Sequence, residues 1–221
     1  MKILFKFPSR SRPEKFFAAL DNIIENALND DYLIVCSLDS DDATMNNQKV
    51  FDKIITYEDK VTAIFSKSLN KVDAVNRNIG TILNWDILCL HSDDMVFTKK
   101  GFDLDIINSM QRIFADTDGI LHFPDGHANE TLITYPIIGR KYFERFGYIY
   151  NPIYNSLFCD NEQMEVAQKL GKYAYIDEHI FEHRHPVWGF GQYDEQLKRT
   201  QKFWDRDKRI YNQRKAINFG L

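Results

Sequence analysis

Two adjacent carboxylates, Asp93 and Asp94, stand just beyond the apolar run DILCL that spans Asp86 to Leu90. Neighbouring carboxylates at a crevice repel each other unless a proton or a cation intervenes. A hard divalent ion, Mn²⁺ or Mg²⁺, answers that repulsion when one or two carboxylates hold it and water and substrate phosphates complete its shell. This is the usual arrangement for diphosphate chemistry. The same pair would also serve as a helix cap or a solvated turn.

Three other groups of residues invite chemistry. His183 and His185 flank Arg184 in IFEHRHP, where alternation along a strand puts both imidazoles on one face, and imidazole suits Mn²⁺ better than Mg²⁺; His179 lies just upstream. The loop Pro8, Ser9, Arg10, Ser11, Arg12, Pro13 offers two guanidinium groups before a helix start, which suits a nucleotide or its diphosphate, or else is an ordinary loop with solvated arginines. Asp160, after the apolar pair Leu157 and Phe158, is either a helix N-cap or a general base for an acceptor hydroxyl.

The elements that must position these groups follow from hydrophobic periodicity. Lys2 to Phe7 is expected to be a strand, Glu14 to Leu28 a helix, and Tyr32 to Leu38 (YLIVCSL) a strand buried on both faces, ending in the acidic loop Asp39, Ser40, Asp41, Asp42. Val50 to Tyr57 is expected as a strand, Lys71 to Leu83 as a helix, and Asp86 to Leu90 as another buried strand running into His91, Ser92, Asp93 and Asp94. After Lys100 a helix over Leu104 to Phe114, a strand over Gly119 to Phe123, a turn at Pro124 to Gly126 and a strand-like stretch over Thr131 to Ile138 are expected. Lys141 to Phe146 and Glu162 to Leu170 read as helical, Tyr173 to Ile176 and Ile180 to His183 as extended, and Tyr193 onward as a charged helix. Alternating strands and helices imply an α/β fold with a mostly parallel central sheet flanked by helices, whose strand C-termini form the ligand crevice. The polar clusters all fall at that edge.

The chain of 221 residues, 44% hydrophobic, is long enough to bury a real core as one domain. Its net charge of −4 argues against an overall basic coat for nonspecific nucleic-acid binding. Cys36, Cys89 and Cys159 are far apart in apolar surroundings and are expected to be buried thiols in a reducing compartment. The start MKILFKFP is broken by Lys6 and Pro8, and no window approaches the ~18 apolar residues of a membrane span; a cytoplasmic protein without an integral membrane segment is expected.

Taken together, these motifs resemble the A-type glycosyltransferase fold, and within it the family-2-like inverting enzymes. The Pro-x-x-x-Arg loop after the first strand is matched by Pro8 to Arg12, and SLDSDD resembles the loop that reads base and ribose, here Asp39, Asp41 and Asp42. NKVDAVNRN, with Lys71, Ala74, Asn76, Arg77 and Asn78, is similar to the family's helix with a basic residue and an Asn signature. The Asp-x-Asp metal motif falls on LHSDDM, with His91 at the first position, Asp93 at the second, and Ser92 and Asp94 placed to touch the donor or the ion. The resemblance implies Asp93 as primary metal ligand, completed by His183 or His185. It implies Asp160 as the catalytic base, although Cys159 stands where the family carries a glutamate. The fold it implies is the Rossmann-like nucleotide-diphospho-sugar transferase type, and the implied donor is a UDP-sugar, or else a GDP-sugar.

The implied reaction is attack of an acceptor hydroxyl on the anomeric carbon, with inversion. A nucleotidyltransferase of the same fold would carry a glycine-rich loop after the first strand, whereas no glycine precedes Gly80. A noncatalytic nucleotide-sugar-binding module is the other alternative, suggested by His91 and Cys159 at two motif positions. The aromatic stretch Tyr142 to Tyr154 would stack sugars or bases, or simply pack the core. Residues 1–192 are read as the catalytic domain and 193–221 as a basic helical extension packed on it. From Gln196 to Lys215 that extension carries Lys198, Arg199, Lys202, Arg206, Lys208, Arg209, Arg214 and Lys215 against Asp205 and Asp207. Such a surface would either be solvated or hold an anionic acceptor: a glycan, a lipid-linked sugar or modified nucleic acid.

Overall fold

The computed structural model describes residues 1–190 and 194–221. In chain order it contains β1 (Ile3–Ser9), α1 (Pro13–Asn26), β2 (Tyr32–Asp39), α2 (Gln48–Ile55), β3 (Val61–Ser66), α3 (Lys71–Asn76), β4 (Ile87–Leu90) and β5 (Met95–Phe97). It continues with α4 (Phe102–Ile113), β6 (Ile120–His122), β7 (Ile137–Gly139), α5 (Arg140–Phe146), α6 (Cys159–Lys169), β8 (Tyr173–Tyr175), β9 (Phe181–His183), α7 (Glu195–Gln201) and α8 (Trp204–Ala216). Seven strands form one sheet in the order β3-β2-β1-β4-β7-β6-β8, parallel except at β7, which runs antiparallel to both neighbours. The expected α/β architecture is therefore present.

The continuous apolar runs of β1, β2 and β4 are divided between the two faces of the sheet by the two-residue period of a strand. Ile3, Phe5, Phe7, Ile34, Cys36, Leu38, Ile87 and Cys89 pack with α1, α2 and α4 on one face. Leu4, Val35, Leu88 and Leu90 pack on the other with α3, α5 and α6, and Ile210 and Tyr211 of α8 lean on that cluster. All three cysteines are buried and unpaired with one another.

Three expectations are corrected. Val50 to Tyr57 is not a strand: Asn47 caps a helix by accepting the Val50 N–H at 3.1 Å, and Val50 and Ile54, one turn apart, are the residues it buries. The strand lies next to it, at Val61–Ser66, where half-exposed residues at the sheet edge hide the apolar run. The helix expected to reach Leu83 stops at Asn76, because Arg77 turns extended and Asn78 adopts a left-handed φ of 69°. Of the stretch Thr131 to Ile138 only the end is strand, since Thr134 gives its hydroxyl to Asp125 at 2.8 Å and Pro136 has no N–H to pair.

The division expected between residues 192 and 193 falls on residues outside the described ones. On the described side, α7 and α8 are short charged helices packed on the rest. Among the described residues no helix is long and apolar enough to cross a membrane.

Candidate active site

β1 pairs in parallel with β2 on one side and β4 on the other, so the chain leaves β1 in one direction and returns on the other. Such a switch point opens a crevice at the strand C-termini. The loops that end these three strands, Ser9 to Arg12, Asp39 to Asp42 and His91 to Asp94, meet there.

On the β1–β2 side Arg10 Nη1 donates to Asp39 Oδ2 at 2.6 Å and to Asp41 Oδ1 at 2.5 Å. Asp39 also accepts the backbone N–H of Ser68 at 3.1 Å and its hydroxyl. Arg77 backs this group, donating to Ser68 Oγ at 2.6 Å and to the carbonyls of Ser66 and Leu38. Asp42, buried, instead takes the Ser11 N–H at 2.6 Å and the Thr44 hydroxyl at 2.7 Å, and so shapes the loop. Pro8 is the half-buried penultimate residue of β1.

On the β1–β4 side Asp93 has a donor on each oxygen: Ser9 Oγ donates to Oδ2 at 2.8 Å and Arg12 Nη1 to Oδ1 at 2.7 Å. Burial pushes its carboxyl up against the pull of Arg12. Arg12 precedes Pro13 at the start of α1 and makes no side-chain cap, which leaves its guanidinium free to reach both Asp93 and Asp194. Asp93 therefore faces a guanidinium rather than an imidazole.

Its neighbour Asp94 faces the histidine. β5 pairs with β9 so that Met95 lies opposite His183, and the Arg184 N–H donates to the Asp94 carbonyl at 2.7 Å. His183 Nε2 lies 3.7 Å from Asp94 Oδ2, and His183 Nδ1 lies 3.5 Å from Asp125 Oδ2. Burial opposes a charge on His183, yet Asp125 and Asp94 hold its pKa up at about 9. Asp94, despite its burial, is drawn well below the carboxylate range by His183 and by the hydroxyl of Ser92.

This pair is the part of the crevice suited to a divalent ion. An ion would have to displace the extra proton that Asp125 and Asp94 stabilise on the ring; a carboxylate behind Nδ1 would then leave the Nε2 lone pair for the ion, the usual outer support of a metal-binding histidine. His183 Nδ1 is buried without a hydrogen bond, and Asp125 Oδ2 stands 3.5 Å from it. Among the described residues no group of three or more His, Cys, Asp or Glu side chains is placed to hold an ion unaided. Two protein ligands with phosphates and water completing the shell is the common Mg²⁺ pattern. His185 fits less well: its ring centroid is 5.3 Å from that of His183, but Nδ1 accepts the Val187 N–H at 3.2 Å, which puts the proton of the neutral ring on Nε2. His185 also lies beyond the end of β9, as the cap of a short 3₁₀ turn, so strand alternation is not what brings the two rings together.

Asp160 is the second residue of α6, close enough to Lys71 and His183 to feel their charges. Burial raises its pKa, while the positive charges of Lys71 and, more weakly, His183 lower it. Lys71, the first residue of α3, is exposed. Asn76 is turned elsewhere: its Oδ1 accepts the N–H groups of Ile149 and Tyr150 at 3.0 and 3.1 Å, and its Nδ2 donates to the Tyr150 carbonyl at 2.6 Å. It brackets a loop instead of facing a ligand.

The two departures from the motif pattern are core residues. His91 is 1% exposed, stacks on Phe97 and bonds Tyr135 Oη through Nδ1 at 3.1 Å; burial lowers its pKa to about 3, so it is a neutral ring packed among aromatics. Cys159 is buried, with Sγ donating to the Ser156 carbonyl at 3.5 Å. His179 packs its Nε2 near Gly126, outside the Asp94–His183 pair. Most of the aromatic stretch 142–154 is core: Tyr142, Phe143, Ile149, Tyr150 and Tyr154 belong to one buried cluster.

Asp125 was not a sequence candidate. The Pro-Asp-Gly signature announces a turn, which Asp125 does build by accepting the N–H groups of His127, Ala128 and Asn129 through Oδ1. Its second oxygen, facing His183, leaves no trace in a single sequence.

No protein-family model and no curated protein matches the sequence. Solved structures do match. One is a mannosyltransferase, PcManGT, from Pyrobaculum calidifontis in complex with GDP-Man and Mn²⁺, with a TM-score of 0.66 at 12% identity over 91% of this chain. Another is S. aureus TarS 1-349 in complex with UDP-GlcNAc, with a TM-score of 0.65 at 12% identity over 90% of this chain. The chain spans 69% of the first and 61% of the second. The chain has the glycosyltransferase A-type fold.

Proposed function

We propose that the protein transfers a sugar from a nucleoside-diphosphate sugar, a UDP-sugar by preference, to an acceptor hydroxyl with inversion, using Mn²⁺ or Mg²⁺. The observation that carries this reading is the division of labour between two carboxyls around His183: Asp94 is held ionised beside the imidazole, and Asp160 is pushed up by burial. Carboxyls whose surroundings push their pKa values apart are the usual mark of distinct acid–base roles. PcManGT in complex with GDP-Man and Mn²⁺ supports the class of donor and ion.

In this reading Asp39, held by Arg10 and backed by Arg77, offers acceptor oxygens to ribose and base. Arg12 meets the diphosphate. Asp94 and His183 hold the divalent ion, which would neutralise charge on the leaving diphosphate. Asp160 takes the acceptor's proton as its oxygen bonds to the anomeric carbon, and Lys71 keeps a fraction of Asp160 ionised. Attack from the face opposite the departing diphosphate inverts the configuration.

His91 and Cys159 are both packed in the core, so these two departures from the motif pattern are packing choices and give the noncatalytic binding module no support. Of the basic residues near the C-terminus, Lys198, Arg206, Arg214 and Lys215 are taken up by Glu195, Asp207, Glu162 and Glu165. Arg199, Lys202, Lys208 and Arg209 are exposed and are the candidate surface for an anionic acceptor.

The test is binding and turnover of UDP-, GDP- and dTDP-sugars with and without Mn²⁺. Metal-dependent release of one nucleoside diphosphate, lost in Asp160→Asn, is expected. Failure of every donor to bind in the presence of metal overturns the reading.

A further inference from the structure

The loop that leads into Asp160 is held from behind by the C-terminal helix. The backbone N–H groups of Asn155, Ser156 and Leu157 converge on the carboxylate of Asp207 in α8, at 3.2, 2.8 and 3.0 Å. That carboxylate is fully buried. Its charge is matched by Arg206 Nη1 at 2.6 Å, and Arg206 Nη2 donates to the Ile153 carbonyl at 3.0 Å.

The next residue, Phe158, has a φ of 62°, a left-handed conformation that a bulky side chain adopts only when its surroundings enforce it. The enforcement also comes from α8: the Phe158 ring packs on Trp204 at 5.0 Å and on Tyr211 at 5.7 Å. α6 starts immediately afterwards, with Asp160 as its second residue. The same loop is fastened to the start of α3, which carries Lys71. Val72 N–H donates to the Asn155 carbonyl at 3.2 Å, and Asn70 Nδ2 donates to Asn155 Oδ1 at 3.0 Å.

A carboxylate buried at such cost, whose acceptors are spent on three successive amides, fixes a backbone. We infer that Asp207 is a positioning residue for the reaction: by clamping 155–157 it sets the Asp160 carboxyl against Lys71 and His183, and makes the C-terminal helix part of the reaction centre. The inference rests on Asp160 being the base proposed above.

The test compares wild type with Asp207→Asn, which keeps the volume but halves the acceptor capacity, and with Arg206→Met at a half-exposed site, which removes the matching charge and keeps the Asp207 acceptors. Hydrogen exchange at the amides of 155–157 is read alongside release of nucleoside diphosphate from UDP-GlcNAc or GDP-Man to water, in Mn²⁺. Asp207→Asn is expected to lose protection at those amides but not in β1, β2 or β4, and kcat is expected to fall about 10- to 100-fold with donor KM within about twofold, the pattern of a misplaced reacting group. Arg206→Met shifts both in the same direction by a smaller factor. Retained protection in Asp207→Asn, unchanged kcat, or a parallel loss of kcat and donor affinity overturns the positioning role; should Asp207→Asn not fold, the same criteria apply to Arg206→Met. Asp160→Asn is run in parallel, and full turnover in that variant overturns the base assignment itself, an outcome distinct from any result at Asp207.

Discussion

Arg12 donates through Nε and Nη2 to both oxygens of Asp194, 182 residues along the chain, at 2.7 and 2.9 Å. Asp194 is also the N-cap of α7, accepting the Leu197 N–H at 3.0 Å. A guanidinium that recognises a planar anion through two parallel hydrogen bonds does the same for phosphate. Asp194 thus stands where an anionic ligand of Arg12 would compete with it.

Asp194→Asn is expected to tighten binding of UDP, because the competing charge is removed while asparagine caps α7 as well as aspartate does. Partly exposed ion pairs contribute up to about 1 kcal/mol, so the gain is about two- to fivefold in Kd. Isothermal titration at moderate salt measures it. A weaker Kd in the variant would mean that Asp194 holds Arg12 in the shape the ligand needs.

Asp94 and Asp93 are expected to differ sharply as ion ligands. Asp94→Ala and His183→Ala each lower Mn²⁺ affinity in the presence of UDP by tenfold or more, and Asp125→Asn, which alters the support behind His183 Nδ1, lowers it by about 10-fold. Asp93→Ala leaves Mn²⁺ affinity nearly unchanged and weakens UDP binding through the loosened Arg12 instead. Mn²⁺ titration followed by electron paramagnetic resonance separates the two. Equal losses at Asp93 and Asp94 would restore Asp93 as a ligand.

That distinction marks how far the sequence is legible. The buried strands, their acidic ends and the α/β alternation are written locally, in apolar runs and the polar residues that stop them. Contacts between distant segments are not. The motif puts Asp93 at the ligand position, and nothing local records that Ser9 and Arg12 each donate to one of its oxygens. Asn76 sits in a motif yet is spent on Ile149 and Tyr150. Val50 and Ile54 are β-branched, which suggests a strand until the Asn47 cap and the four-residue spacing are weighed together. Asp207 lies in a run of charges where its neighbours are exposed or half-exposed, so its complete burial has no sequence signature.

The rate of nucleotide release is expected to fall at low pH with the titration of Asp160, at a pH higher than for an exposed aspartate because burial raises its pKa. A general base works only when deprotonated. Lys71 lowers that pKa, so Lys71→Met raises it and moves the acidic limb to higher pH. The pH dependence of kcat measures the limb. A limb that stays in place in Lys71→Met, or moves down, contradicts the pairing.

Lys6 makes a prediction about stability. It is fully buried in β1, with Nζ bonded to Ser37 Oγ and to the Arg77 carbonyl at 2.9 Å. Burial, with a smaller push from Arg77, lowers its pKa from 10.5 to about 7. The unfolded chain binds its proton up to about pH 10.5, whereas the folded chain releases it near 7, so between those values the unfolded state carries more protons and stability rises with pH. Below about pH 7 both states are protonated and the full cost of a buried ammonium is present. Lys6→Met abolishes this dependence, at the cost of two hydrogen bonds worth about 1 kcal/mol each. The difference in Tm, variant minus wild type, is therefore expected to be more favourable to the variant at pH 6 than at pH 9, by several degrees for a chain of this size. Thermal unfolding followed by circular dichroism at both pH values decides it: a difference that does not change with pH means that Lys6 titrates in the folded protein as it does in the unfolded chain.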